Sequence, residues 1–65
     1  MAKWQVRIMA DGIECESYRA DTKESVIAEG KFQATAYAFP STELKLRIEK
    51  KDASGIYQHS ETIKL

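Results

Sequence analysis

Apolar and polar residues alternate at the start of the chain, where Trp4, Val6 and Ile8 are separated by Gln5 and Arg7. That is the period-two pattern of a strand with one buried face. Asp11-Gly12 follows, a pair that adopts the positive φ angles of a two-residue hairpin turn at little steric cost. Pairing across this turn sets Ala10 against Ile13, Ile8 against Cys15, Arg7 against Glu16 and Gln5 against Tyr18. The register puts Trp4, Val6, Ile8, Ile13 and Cys15 on one face and pairs Arg7 with Glu16 on the other.

The period then changes. "DTKE" resembles a capping box, with Asp21 accepting from the first-turn N–H groups and Glu24 reaching back, and Pro40 forbids a helical conformation at Phe39. A helix from about Thr22 to about Ala38 is predicted. Val26, Ile27, Gly30, Ala34, Tyr37 and Ala38 share its core-facing arc, and Gly30 and Ala34 are small enough to let it lie close against a sheet. Ala28, Phe32, Ala36 and Phe39 form a second apolar line on the opposite side. A competing reading ends the helix at Gly30 in a left-handed cap and makes residues 31–39 a strand, which the alanines of that stretch disfavour.

After a turn at Pro40-Ser41-Thr42, Leu44, Leu46 and Ile48 alternate with Glu43, Lys45, Arg47 and Glu49, a second strand pattern with one buried face. "DASG" turns the chain and "IYQHSETIKL" supplies a last strand. Its register is open between Arg47 opposite Glu61 and Leu46 opposite Ile63. Two hairpins joined by one helix make an α+β domain of order β-β-α-β-β spanning residues 1–65, a four-stranded antiparallel sheet with the helix on one face and the other face open.

At 65 residues the chain is near the size at which a core alone ceases to suffice, which favours a homodimer or another protein partner. Ten acidic and ten basic side chains cancel, an argument against electrostatic attraction to nucleic acid or to an anionic membrane. The single cysteine, Cys15, excludes an internal disulfide and fits a reducing cytoplasm. "MAKWQVRIMADG" contains no long apolar run, so the chain is expected to be soluble and unprocessed.

Catalytic chemistry finds little material. His59, the only histidine, reads as a surface strand residue, and Glu14 and Glu16 share a face around Cys15 as solvated charges. No catalytic residue, metal site or cofactor is assigned, since Glu14, Glu16 and His59 lack the further donors a metal centre needs and no glycine-rich loop precedes the helix. The expected function is non-enzymatic protein binding through Phe32, Phe39, Ala28 and Ala36, where aromatic side chains between small ones make good anchors. The alternative is single-stranded RNA or DNA binding on an open sheet face bearing Lys45, Arg47, Lys50, Lys51, Tyr57 and Tyr18, with Glu43, Glu49 and Glu61 opposing it nearby.

The stretch from "ADTKES" through "ELKLRIEKKDASGIY" is similar in plan to small uncharacterised bacterial and phage domains, in which a capped helix beginning Thr-Lys-Glu precedes an apolar strand and an Asp/Gly turn. It also resembles compact phage-encoded inhibitors of bacterial defence, including certain anti-CRISPR proteins, which place one helix on a small antiparallel sheet. The likeness covers roughly residues 20 to 57 and lies in architecture. It implies a stoichiometric binder or inhibitor of a larger protein complex and transfers no functional residue.

Overall fold

The alternating segments form strands β1 (Trp4–Ala10), β2 (Ile13–Ala20), β3 (Leu44–Lys51) and β4 (Tyr57–Lys64), with helix α1 (Lys23–Ala34) between β2 and β3. These elements come from a computed structural model that describes residues 2–40 and 42–65; Ser41, in the turn expected after Pro40, lies outside the described residues. The strands make one antiparallel sheet in the order β2-β1-β3-β4, so the two strands with the clearest alternation, β1 and β3, are the central pair. This is the expected β-β-α-β-β architecture.

Asp11 and Gly12 take φ angles of 51° and 81°, as the first hairpin turn requires. Only the first pairs follow the simple register, however. Ala10 faces Ile13 and Met9 faces Glu14, and then a β-bulge makes Cys15 an extra residue, so that Ile8 faces Glu16, Arg7 faces Ser17 and Gln5 faces Arg19. The expected pairs Ile8–Cys15, Arg7–Glu16 and Gln5–Tyr18 are therefore not made. The bulge has a packing reason: it turns Tyr18 and Ala20 toward the core, where an unbroken register would have aimed Ser17 and Arg19. Ile13 and Cys15, expected on the buried face, are exposed at the edge of the sheet.

The helix is capped by Thr22, one residue later than expected for Asp21. Thr22 has extended backbone angles, and its Oγ1 accepts a hydrogen bond from the Ser25 N–H at 3.1 Å. α1 also ends earlier than the proline alone would require. The Thr35 hydroxyl donates to the Phe32 carbonyl at 2.7 Å, and the chain tightens into a 3₁₀ turn over Thr35–Tyr37. Val26, Gly30 and Ala34 are buried, with Ile27 and Tyr37 packed beside them. Ala38, expected in the same stripe, is exposed, because the tighter 3₁₀ winding over Thr35–Tyr37 rotates it off the α-helical face. No strand forms over residues 31–39.

Beneath the helix lie Val6, Ile8, Leu46 and Ile48, all fully buried, flanked by Trp4 and Ile63. The last strand takes the register that sets Leu46 opposite Ile63, with Arg47 opposite Thr62 rather than Glu61. A second irregularity lies between Ile48 and Glu49, which face Glu61 and His59.

Gly30 is the closest approach of helix to sheet. A Cβ built there would lie 2.8 Å from Val6 Cγ2 and 3.1 Å from Leu46 Cδ1, both on fully buried side chains with little room to move. Gly30→Ala is expected to destabilise the fold by about 1 to 3 kcal/mol, because overpacking outweighs the roughly 1 kcal/mol that alanine gains in helix propensity. Leu46→Ala is expected to cost about 2 to 5 kcal/mol through the cavity it leaves. Urea melts of the two variants measure both, and a Gly30→Ala protein more stable than the parent would disprove the close contact.

Candidate functional site

Two surfaces are left over once the core is filled, the outward side of α1 and the sheet face that no helix covers. On the first, Ala28, Phe32, Ala36 and Phe39 are all exposed, Phe32 at 71% and Phe39 at 63%. They do not form the expected single line. The α-helical repeat stops at Ala34, so Phe32 stands between Ala28 and Ala36 while Phe39 turns to the rim of a separate apolar depression. That depression, about 660 Å³, is lined by Ala34, Ala38, Phe39, Pro40, Leu44 and Leu65, among others.

The open face is made by the residues that alternate with the core. Gln5 and Arg7 of β1, Arg19 of β2, and Arg47 and Glu49 of β3 meet near its centre. Their contacts form one connected network around the Glu49 carboxylate. Gln5 Nε2 donates to Glu49 Oε1 at 2.7 Å, Arg7 Nε to the same oxygen at 2.8 Å and Arg47 Nε to Oε2 at 2.9 Å. Arg19 Nε donates to Gln5 Oε1 at 2.9 Å, and Arg7 Nη1 donates to Glu14 Oε1.

The network answers an electrostatic problem posed by the strand pairing. Arg7 and Arg47 are directly opposite each other across β1 and β3, where like charges repel. Glu49 lies beside both and is only 4% exposed. Burial by itself would raise its pKa, but the hydrogen bonds from Arg47, Arg7 and Gln5 outweigh that and bring it down to about 2. The same contacts, with Glu49 first and Glu14 second, raise the pKa of Arg7.

Around this centre the face is strongly basic. Arg7, Arg19, Lys45, Arg47, Lys51 and Lys64 lie on it against Glu14, Glu49 and Glu43, the last paired with Lys45 at 2.9 Å. The chain holds ten charges of each sign, so the remainder keeps four basic against seven acidic side chains. Net neutrality thus conceals two regions of opposite sign. Tyr57 borders the basic face, its hydroxyl donating to the Ala2 carbonyl at 2.9 Å, with the Arg19 guanidinium 4.9 Å and Lys51 Nζ 5.3 Å from its ring centre. His59 sits opposite Glu49 and hydrogen-bonds through Nε2 with Thr62 Oγ1 at 3.0 Å.

Lys45, Arg47, Lys51 and Tyr57 therefore come together on the open face as the alternative reading required, but Lys50 and Tyr18 do not. Lys50 alternates onto the helix-bearing side, with Nζ 5.5 Å from the Trp4 ring centre. Tyr18 packs against the core, and its hydroxyl donates to Glu16 at 2.7 Å, a bond that pushes its pKa up to about 12. Tyr37 is also shifted upward, by burial and then by Glu16. The bulge separates Glu14 from Glu16, which had been expected to share a face: Glu14 meets Arg7 and Glu16 meets Tyr18. Of the carboxylates expected to oppose the basic cluster, Glu61 lies on the helix side and pairs with Lys23, whereas Glu43 stays with the cluster and pairs with Lys45 at 2.9 Å.

Gln5, Arg7, Arg19, Glu49 and Lys64 were not assigned to a site from the sequence. Their signal was the period-two alternation opposite Trp4, Val6 and Ile8, which becomes a site only once β1 is known to pair with β3.

Among the described residues, no group of three or more His, Cys, Asp and Glu side chains is placed to hold a metal ion, and no helix is long and apolar enough to cross a membrane. What the fold and its surfaces define is a small α+β module with one covered and one open sheet face. The chain matches no protein-family model, no curated protein and no solved structure.

The depressed pKa of Glu49 makes a signed prediction. Its carboxylate is favoured in the fold, so its stabilisation is complete above its ordinary value of 4.5 and is lost as pH falls from there through about 2. For a shift of this size that is on the order of 3 kcal/mol. Denaturant melts between pH 5 and pH 2 (about one step per half unit) should show this loss in the parent and a flatter profile in Glu49→Gln. Glu49→Ala, which leaves Arg7 and Arg47 facing each other, should cost about 3 to 5 kcal/mol at neutral pH.

Proposed function

We propose that the protein is a non-enzymatic binding module that acts by protein contact on the outward side of α1, with a second copy of the chain as its first partner. The observation that supports this most directly is Phe32. It is 71% exposed on a helix whose opposite side already fills the core with Val26, Gly30 and Ala34. Among the described residues the ring lies outside the core cluster, and the small side chains of Ala28 and Ala36 leave space for a partner to approach it.

The size of the domain points the same way. One helix over four strands leaves Ile13, Phe32, Phe39, Ile56 and Leu65 exposed, and a 65-residue chain gains stability by covering such surface with a copy of itself. Stoichiometric inhibition or regulation of a larger protein is the activity implied by the resemblance to compact anti-defence domains. A single exposed thiol, Cys15, suits a reducing, cytoplasmic setting.

Light scattering on chromatographed protein at micromolar concentration is expected to give the mass of a dimer. Phe32→Asp together with Phe39→Ser should return it to a monomer. Each buried Phe is worth roughly 1.5 to 3 kcal/mol, so each loss should weaken association about ten- to hundredfold. A double variant that keeps the parent's mass and captures the same partners would sink the proposal.

A further inference from the structure

We propose that the open sheet face is a second binding site, built for single-stranded nucleic acid, with phosphates on its arginine cluster and a base on Tyr57. The proposal concerns a different face from the α1 contact and does not rest on it.

Three features carry it. The first is the sign of the face, six cations against three carboxylates, of which Glu49 is shared between Arg7 and Arg47, Glu14 is taken by Arg7 and Glu43 by Lys45. A surface of this sign is complementary to a polyanion.

The second feature is pre-organisation. Arg7, Arg19 and Arg47 are each held at Nε by a neighbour in the network, Glu49 or Gln5. For Arg19 and Arg47 this leaves the terminal nitrogens of the fork available to an acceptor. The Arg47 side chain remains 44% exposed although its Nε is engaged. A guanidinium fixed at Nε loses little freedom when its other edge meets a phosphate, and each fork can donate to two oxygens of one phosphate group.

The third feature is Tyr57. The Arg19 guanidinium and Lys51 Nζ each lie over its ring, and its hydroxyl is anchored to Ala2, so its orientation is fixed at the rim of the basic field. A base stacks on this ring by displacing one of the two cations, which then takes a flanking phosphate. An open sheet face with an aromatic ring at its rim suits splayed, unstacked bases, which a single strand offers and a duplex does not.

Fluorescence anisotropy of the whole chain with labelled oligothymidylate and oligouridylate of about 12 nucleotides tests this, the two probes separating DNA from RNA. Binding is expected in the micromolar range or tighter at about 50 mM salt, with a log–log salt slope near −2 to −3 for three or four phosphates. Affinity should then fall roughly tenfold to sixtyfold by about 200 mM salt. Lys45→Gln with Lys64→Gln spares the Glu49 network and should reduce the slope by about one. Tyr57→Leu should weaken binding with the slope unchanged, whereas Phe32→Asp should leave binding as in the parent. Absence of binding at low salt, or a slope unaffected by the lysine changes, overturns the proposal. So does equal competition by polyglutamate, which would assign the face to an acidic protein.

Discussion

With no side chain at Gly30, α1 lies directly against Val6 and Leu46, closer than any other residue type would allow at that position. The central strand pair is thereby covered by the shortest available helix side, Val26, Gly30 and Ala34. A helix pressed this close spends its small residues inward and has its larger apolar residue, Phe32, on the other side. The exposed ring and the tight core are two results of one packing distance. In a domain of this size there is no second layer to cover either the ring or the far side of the sheet.

The uncovered face therefore has to satisfy itself with polar side chains. Arg7 and Arg47 face each other because the apolar pairs Val6–Ile48 and Ile8–Leu46 fix the register of β1 against β3. Glu49 and Gln5, one row along, bring the acceptor and donor groups that make this tolerable. Burial of Glu49 raises the strength of each of its bonds and the penalty for losing any of them. The face is consequently both a structural element and an ordered array of cations. A chain with equal numbers of charges becomes a molecule with a basic side, and the argument from net charge against electrostatic partners does not apply to that side.

Much of this was legible in the residues. The strands, the Asp11-Gly12 turn, the Thr-Lys-Glu helix start and the close approach through Gly30 and Ala34 all follow from local preferences and periodicity. The errors share a cause. The Cys15 bulge, the cap at Thr22, the helix end at Ala34 and the side on which Tyr18 falls each depend on a shift of one residue or one turn. Neither side of such a shift is preferred strongly by the local sequence, and packing against a distant element decides it.

By itself, then, the sequence determined which segments are strands and helix, which residues are apolar enough to fill the core, and that one helix would leave half of the sheet bare. These depend on interactions between near neighbours along the chain. Only the tertiary structure decided that β1 lies beside β3, that the bulge turns Tyr18 inward, and that Arg7, Arg19, Arg47, Gln5 and Glu49 meet. Those five residues span positions 5 to 49, and hydrophobic registration of three strands is what brings them within hydrogen-bonding distance.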